Sequence, residues 1–286
     1  MSLTEATQAA PPGRPIRGPA AVGGDWRRLL QLTRLLAVTD FRLRFFGSVL
    51  GYLWQVMHPL LLFGVLYLVF TEVVRLGSDV RFYGVSLLAG IVLFVFISEA
   101  TSQSVQSLVE REPIVRKIQF PRFAVPLSVV VTALFRLGPN LLVVIVFLLA
   151  AGGRVRISWL EIPLLLALLA VLAVGLASLL SALFVHFRDV KPIWDVVLQV
   201  LFYASPIFYP ITLITDDTLR EVLMMNPFAA ILQQFRHAVI DPSHPSAYEA
   251  IGSNALILVP LGLIATMAVG GFRYFDRKAP RVAEEL

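Results

Sequence analysis

The chain has 286 residues, of which 57% are hydrophobic and only 15% are charged, and its mean hydropathy is +0.79. A soluble globular protein is about half apolar and a quarter charged, so too few charged side chains remain to cover a soluble domain of this length. The composition therefore predicts an integral membrane protein, and the lack of cysteine excludes disulfides, thiolate catalysis and cysteine-ligated metals.

The N-terminal region divides into two parts. Residues 1–25 are rich in proline, glycine and alanine and contain no apolar segment typical of a cleavable signal, so we expect a disordered cytoplasmic tail. Residues 26–46 carry Trp26, Leu29 and Phe41 at helical spacing, with arginines largely on the other side. This pattern is typical of an amphipathic helix lying in the headgroup region. A solvated helix that contacts a partner subunit is the alternative, and the two are compatible.

A helix needs roughly 20 apolar residues to cross the hydrocarbon core of a bilayer. Six apolar runs are candidates, the fifth being the shortest, at about residues 49–71, 82–99, 124–151, 162–185, 193–209 and 254–272. The sequence thus predicts an all-α membrane protein with a six-span transmembrane domain over residues 49–272. Residues 273–286 are expected to form a second cytoplasmic tail.

The distribution of basic residues predicts the orientation, because cytoplasmic loops collect lysine and arginine. If both termini are inside, the inner segments hold 17 of the 24 lysine and arginine residues and the outer segments hold six. Both termini are therefore expected in the cytoplasm. This bias also accounts for the net charge of +5 without a nucleic-acid partner.

Two connecting segments are longer than simple turns. The inner segment 100–123 mixes charged and apolar residues, which suits a short helix that docks on a soluble partner. The outer segment 205–253 is too apolar for a free loop, and we expect short helices there, one or two of them re-entering the membrane. Such segments are tolerated where they contact protein or line a cavity.

Several motifs of enzymatic chemistry are missing from the sequence. It contains no Gly-x-x-x-x-Gly-Lys-Ser/Thr phosphate-binding loop, so the chain is not expected to hydrolyse ATP in that way. Neither a His-Glu-x-x-His metal motif nor a Gly-x-Ser-x-Gly nucleophile motif occurs. The nearest string, at residues 175–178, lies within a span and is better interpreted as small residues at a close helix contact. We expect no catalytic residue, metal or cofactor in this chain.

Five regions of the chain contain characteristic strings. The first region, within 40–60, has Asp-Phe-Arg-Leu-Arg-Phe, Gly-Ser-Val-Leu-Gly-Tyr-Leu-Trp and His-Pro-Leu. The other four have Ile-Val-Arg-Lys-Ile-Gln-Phe-Pro-Arg at 114–122, Phe-Arg-Asp-Val at 187–190 before Trp194, Ser-Pro-Ile-Phe-Tyr-Pro at 205–210, and Asn-Pro-Phe at 226–228 before Phe235 and Arg236. Their order and spacing cover about residues 26–275. They resemble the permeases of polysaccharide ABC exporters, the membrane subunits that export O-antigen, capsule, teichoic acid and related glycans.

The resemblance implies a homodimer of six-span permeases that carries two copies of a separate ATPase, which would bind ATP and Mg²⁺. It also implies an interfacial helix, re-entrant helices before the last span, and a bacterial inner membrane. The inner loop would be the coupling segment that meets the ATPase, through Glu110, Arg111, Glu112, Arg116 and Lys117. A solvated loop is the alternative interpretation of these five charges.

Arg136 and Asn140 are channel candidates in the third span. A charge in the middle of the bilayer costs at least about 2.5–3.5 kcal/mol on insertion scales, so it rarely faces lipid. Arg136 would therefore contact a lipid-linked pyrophosphate or sugar hydroxyls, pair with an acidic residue such as Asp195 or Glu99, or extend to the interface.

Aromatic residues supply the other channel candidates, which are Tyr52, Trp54, Tyr203 and Tyr209. Aromatic rings in glycan channels stack on the C–H faces of sugars. An interfacial belt would place tryptophan and tyrosine at the same depths, and this second interpretation stays open.

The predicted function is the movement of a lipid-linked polysaccharide from the cytoplasmic side across the membrane, driven by ATP hydrolysis on the partner. One alternative is an ABC permease that exports a lipid or a hydrophobic drug. A second, of a different class, is a membrane-embedded glycosyl or acyl transferase. A transferase needs acidic or histidine residues that converge at one membrane face, and the sequence suggests no such group.

Overall fold

The computed structural model describes residues 22, 25–45, 49–75, 80–112, 121–252 and 255–279. Regular structure in these residues is helical. In chain order, the α-helices of the described part are α1 (Trp26–Phe45), α2 (Val49–Leu68), α3 (Tyr83–Glu110), α4 (Ala124–Ala150), α5 (Ile162–His186), α6 (Val190–Ala204), α7 (Asp217–Met224), α8 (Pro227–Phe235), α9 (Ala247–Ile251) and α10 (Leu258–Lys278). The predicted all-α class is confirmed.

Within the described residues, five helical segments are long and apolar enough to cross a membrane: Leu53–Val73, Tyr83–Glu110, Ala124–Ala150, Ile157–His186 and Leu258–Lys278. The first continues α2 through a π-helical turn, and the fourth begins in a 3₁₀ turn before α5. These segments give the chain the architecture of a multi-pass membrane protein.

The predicted fifth span, at 193–209, differs from the helix that forms. α6 has 15 residues, fewer than the roughly 20 that a straight crossing needs. It ends at Ala204 because Ser205 precedes Pro206, and the residue before a proline is driven to an extended conformation. The six-span expectation therefore becomes five long helices and one short one.

The loop predicted to begin at residue 100 begins later, because α3 continues to Glu110. Residues 100–110 contain neither glycine nor proline, and hydroxyl groups in this stretch donate to carbonyl oxygens within their own helix. The Thr101 Oγ1 to Ile97 O distance is 2.7 Å, and the Ser104 Oγ to Ala100 O distance is 2.6 Å. Serine and threonine side chains that donate to carbonyl oxygens of their own helix are compatible with helical structure. The drop in hydropathy after residue 99 therefore does not end α3.

α3 lies at the centre of the bundle, between α4 and α5, and most of its side chains are buried. α2, in contrast, has few fully buried side chains, although Leu60, Leu62 and Phe63 pack partly against the core. Leu61 and Val65 of α2 are 52% and 63% exposed. The α2 surface is thus available to lipid or to another chain.

α5 and α10 approach each other at glycine. A Cβ atom on Gly175 would lie 2.6 Å from the backbone oxygen of Met267, and one on Gly271 would run into the carbonyl oxygen of Gly175. Small residues at this crossing let the two backbones touch, which agrees with the interpretation of residues 175–178 as a close helix contact.

α1 contacts α4 and buries one narrow stripe at a spacing of four residues, formed by Leu29, Thr33 and Ala37. Trp26 and Leu43 on other faces are 59% and 74% exposed. Arg28 and Arg42 are exposed as well, so the uncovered surface of α1 carries both apolar and basic side chains. The interfacial position of α1 stays a prediction.

The segment between α6 and α10 folds into the short helices α7, α8 and α9. The Asp216 carboxylate accepts hydrogen bonds from the N–H groups at the start of α7, the Asn226 side chain does so at α8, and Ser246 forms a capping box at α9. Phe228 and Phe235 of α8 are fully buried against the membrane helices. The segment is therefore a folded part of the bundle.

Candidate functional site

The two ends of the bundle are named after the first and last residues of α3, the Tyr83 end and the Glu110 end. The Glu110 end holds three of the five predicted coupling residues. Glu110 is the last residue of α3 and is exposed, and Arg111 and Glu112 follow it. Arg116 and Lys117 lie outside the described residues.

Arg111 connects three helices at this end. Its guanidinium forms an ion pair with the Asp40 carboxylate of α1 and donates a hydrogen bond to Ser128 Oγ of α4 at 3.0 Å. The Arg111 side chain is only 17% exposed. This arginine thus fixes α1 and α4 to the end of α3, and it does not extend freely toward a partner.

A cavity of about 450 Å³ opens beside this ion pair, between α1, α3, α4 and α6. Its lining is largely polar and includes Gln103 and Gln106 of α3, Thr132 of α4 and Lys191 of α6. Amide, hydroxyl and ammonium groups together can bind a polar headgroup.

A polar face of α3 leads from this cavity toward the middle of the bundle. Glu99, Gln103, Gln106 and Glu110 repeat at intervals of four and three residues, which places them on one side of a helix. Glu99 is the innermost of these side chains, and it is the partner of Arg136. Hydrophilic groups therefore extend deep into an otherwise apolar helix.

Arg136 of α4 is buried and pairs with Glu99, with an Nη1 to Oε2 distance of 3.0 Å. Of the two acidic partners considered for it, Glu99 is the one in contact. The Asn140 side chain donates to the Arg136 carbonyl oxygen at 3.0 Å. The Nε and Nη2 atoms of Arg136 are buried without a hydrogen-bond partner. The ion pair therefore keeps donors free for a further polar group.

The four aromatic channel candidates do not form one cluster. Trp54 of α2 and Tyr203 of α6 are 63% and 59% exposed on the surface of the bundle. Tyr209 lines a cavity at the opposite end of α3. The side chain of Tyr52 lies outside the described part of the chain.

The Tyr83 end of α3 contains this second cavity, of about 260 Å³, which sequence analysis did not predict. Ser86 of α3, Gln233 of α8 and Arg236 of the following π-helical turn line it. One Arg236 nitrogen, Nη2, donates to the carbonyl oxygens of Ile207 at 2.7 Å and Ser86 at 3.4 Å. A buried arginine thus joins the end of α6, the start of α3 and the short helices.

The turn before α3 brings Tyr83 to this cavity. Phe82 adopts a left-handed backbone conformation with φ 56°, which is uncommon for an aromatic residue, and the Arg81 guanidinium lies 4.7 Å from its ring centre. The Tyr83 hydroxyl donates to Phe208 O at 2.7 Å. The hydrogen bond thus ties Tyr83 to the residue before Tyr209, the other tyrosine of the cavity.

Two titratable groups near the cavity, His244 and Asp241, have shifted pKa values. Burial lowers the pKa of His244 to about 4, with the positive charge of Arg236 acting in the same direction, so this imidazole is neutral at pH 7. Burial acts to raise the pKa of Asp241, but hydrogen bonds from Ser243 and the charges of Arg156 and Arg81 lower it below its usual value. Asp241 is thus an anion, compensated by its own arginines.

In the described ranges, no group of three or more histidine, aspartate or glutamate side chains could hold a metal ion. The polar clusters of the bundle combine arginine or lysine with amides, hydroxyls and a few carboxylates. Such groups bind polar or charged ligands.

Comparison with known proteins identifies the family of this chain. Residues 31–240, almost three quarters of its length, match the ABC-2 type transporter family. The chain belongs to this family. The resemblance to ABC exporter permeases is thereby confirmed.

Three relatives indicate where this ABC-2 type transporter lies within the family. An "O-antigen export system permease protein RfbA" of Klebsiella pneumoniae is 28% identical over 259 residues, covering 90% of this chain and 96% of the relative. A protein of the same name from Myxococcus xanthus is 26% identical over 79% of this chain and 86% of its own length. The "Polysialic acid transport protein KpsM" of Escherichia coli is 25% identical over 85% and 92%.

Sequence reasoning about this ABC-2 type transporter missed the cavity at the Tyr83 end. Arg236 entered only as part of a family string, and His244 was not singled out. The cavity combines residues far apart in the chain, since Ser86 and Arg236 are separated by 150 positions. One signal was available in the sequence. Arg236 lies in the segment 205–253, which is apolar enough to be expected to re-enter the membrane.

Proposed function

We propose that this ABC-2 type transporter is the membrane subunit of an exporter that moves a lipid-linked polysaccharide from the cytoplasmic side across the bacterial inner membrane. The observation that carries the proposal is similarity to polysaccharide export permeases along nearly their whole length, from 86% to 96% of each relative. This chain would supply the path, and a separate ATPase would supply the energy.

The Glu110 end is proposed to face the cytoplasm, with both termini. This orientation puts most basic residues inside, in line with the positive-inside rule. α6 and the residues up to 210 would then make the fifth crossing, and α7 to α9 would be re-entrant helices on the outer side. The burial of Phe228 and Phe235 supports the re-entrant assignment, because irregular backbone at membrane depth must contact protein.

Two copies of the chain are proposed to form the exporter, together with two copies of the ATPase. The uncovered apolar surfaces of α2 and α6 suit a contact between copies. Trp54 and Tyr203 lie on these surfaces, so pairing would bring four aromatic rings to the path between the two copies. Sugar C–H faces would stack on these rings during passage.

The substrate is proposed to approach along α1 and to place its polar headgroup in the cavity at the Glu110 end. From there the polar face of α3 leads to Arg136, whose unpaired donors would bind phosphate or sugar oxygens. The pair with Glu99 would keep this arginine oriented between passages. A permease for a lipid or hydrophobic drug would be expected to have a more apolar path than this one.

Residues 110–117 are proposed to transmit ATP-driven movement from the ATPase. Replacing them by a glycine–serine linker of equal length should leave ATP hydrolysis by the assembled complex in place and abolish export. The assay would measure ATP hydrolysis and glycan uptake into inverted proteoliposomes. A linker of equal length in place of residues 216–219, at the opposite end, is the control for general damage. Export that survives the 110–117 change would refute the coupling assignment.

The same preparation distinguishes the substrate classes. Lipid-linked glycan should stimulate ATP hydrolysis, whereas a hydrophobic drug or a bare lipid should not. Stimulation by the drug or lipid alone would favour the alternative exporter.

A further inference from the structure

The cavity at the Tyr83 end contains a positive charge that the surrounding protein does not neutralise. Arg236 is 3% exposed, and no carboxylate of the described residues forms an ion pair with it. It donates hydrogen bonds to two carbonyl oxygens, Ile207 O and Ser86 O. Asp241, the buried carboxylate nearby, is instead paired with Arg81 and Arg156. A buried cation without a counter-ion is expensive, and an anionic ligand would relieve that cost.

Two polar atoms that belong to residues of this cavity are buried without a hydrogen-bond partner. One is Arg236 Nε, a donor, and the other is Gln233 Oε1, an acceptor. The two residues are three positions apart at the end of α8, so they lie on the same side of the helix. A single molecule with both an oxyanion and a hydroxyl group would satisfy the donor and the acceptor together.

The remaining lining suits a sugar ring. The rings of Tyr83 and Tyr209 supply aromatic faces, and Ser86 supplies a hydroxyl. The volume of about 260 Å³ is below the roughly 300–1,000 Å³ typical of pockets for drug-sized ligands, so it fits a ligand the size of one sugar residue.

We propose that this cavity binds one acidic sugar residue of the exported glycan, with a carboxylate oxygen on Arg236 Nε and a ring hydroxyl on Gln233 Oε1. The proposal rests on the proposed function, because it assumes that a glycan leaves the path at the Tyr83 end. A site of this kind would hold the leading unit of an acidic glycan on the outer side while the next unit enters.

The probe is methyl glucuronide, compared with methyl glucoside, which has the same ring without the carboxylate. The full-length chain is assembled with its ATPase in lipid nanodiscs without nucleotide, and saturation-transfer NMR measures sugar binding. The glucuronide should bind roughly tenfold or more tightly than the glucoside, as expected for a charged hydrogen bond in a buried site. Inorganic phosphate should compete only weakly, because it cannot stack on the tyrosine rings.

Arg236→Gln should weaken glucuronide binding roughly tenfold or more, because it removes the charged donor. The matched control is Arg220→Gln, which removes an arginine of α7 outside the cavity and should leave binding unchanged. Arg236→Gln also removes the bonds to Ile207 and Ser86, and this loss could unfold the region. Tyr209→Leu removes a stacking ring and no hydrogen bond to Arg236, so it should lower affinity in a folded protein.

Three results would overturn the proposal: equal binding of glucuronide and glucoside, unchanged binding in both cavity variants, or no saturation transfer to either sugar. Phosphate that competes as well as the glucuronide would also overturn it, because the cavity would then be a plain anion site. Binding is measured without transport, so the outcome is separable from the proposed function. A complex that exports glycan but binds no glucuronide refutes only this inference, and a complex that binds it but exports nothing refutes the exporter assignment.

Discussion

Single residues in this protein carry charge where the surroundings are apolar, and the structure explains how each charge is tolerated. Arg136 is the example that the sequence could predict, because a mid-span arginine must pair or line a path. The sequence left two acidic partners open, and the fold selects Glu99 by bringing α3 against α4. Arg236 was not predictable in the same way, because its contacts come from carbonyl groups far away in the chain.

Glu99→Gln should destabilise the protein because it leaves Arg136 buried with its charge unpaired. Breaking a buried pair in this way typically costs about 3–5 kcal/mol, and since the Glu99 side chain is 34% exposed we expect about 2 kcal/mol. Thermal unfolding in detergent measures the change. The double variant Glu99→Gln/Arg136→Gln removes both charges and should recover part of the loss. A double variant no more stable than Glu99→Gln would contradict the role of the pair.

His244 should make the folded state sensitive to acid. Its pKa is lowered to about 4, chiefly by burial and by Arg236, with His237 adding to the shift and Asp241 opposing it. The unfolded chain, in which the pKa is near 6.5, therefore binds a proton that the folded chain does not, and the free energy of unfolding falls as the pH drops from about 6.5 to about 4.

The measurement is the melting temperature between pH 7.5 and pH 4.5, for the wild type and for His244→Gln. The wild type should lose on the order of 2 kcal/mol more than the variant over this interval. At pH 7.5 the variant loses the hydrogen bond between Ser86 and His244, so the comparison uses the slope and not the absolute stability. Parallel pH profiles would show that the folded protein accommodates the imidazolium.

At the scale of helices, hydropathy predicted where most elements lie but not where they end. The apolar runs at 124–151 and 162–185 correspond closely to α4 and α5. α3 is longer than the apolar run 82–99 because serine and threonine beyond residue 99 donate hydrogen bonds to the backbone of their own helix. A hydropathy pattern does not reveal such bonds. α6 is short because the backbone geometry before Pro206 stops it, although the apolar run continues.

The crossing of α5 and α10 should depend on glycine at position 271. Gly271→Ala places a methyl group against the carbonyl oxygen of Gly175, and because that neighbour is backbone the helices must separate. We expect a loss of about 1–3 kcal/mol, as for overpacked cores. Gly270→Ala is the matched control, since a Cβ atom there meets nothing within 4 Å. The control should be neutral or slightly stabilising through helix propensity, and equal effects of the two changes would exclude a specific close contact.

At the scale of the whole molecule, α1 is mechanically connected to the bundle. Arg111 joins Asp40 of α1 to the end of α3 and to Ser128 of α4. A push on the Glu110 end would therefore reach α1, where the lipid-linked substrate is proposed to approach. The sequence predicted both the amphipathic helix and the charged segment, but the ion pair between them requires the folded arrangement of three helices.

Arg111→Gln should uncouple the two activities. Without the ion pair to Asp40, α1 can move independently of α3, so ATP hydrolysis by the complex should persist while export falls several-fold. Arg42→Gln is the matched control, because it removes an exposed arginine of α1 itself. Both activities are measured in proteoliposomes containing the partner ATPase. Equal export by the two variants would mean that Arg111 does not transmit movement.

The shortness of α6 has a consequence for the proposed path between two copies. Its 15 residues extend about 22 Å, whereas the hydrocarbon core of a bilayer is about 30 Å thick. In the proposed exporter α6 faces the second copy, and residues 205–210 complete the crossing without a helix. Backbone N–H and C=O groups outside a helix are tolerated at that depth only beside protein or water, so this part of the wall would be polar.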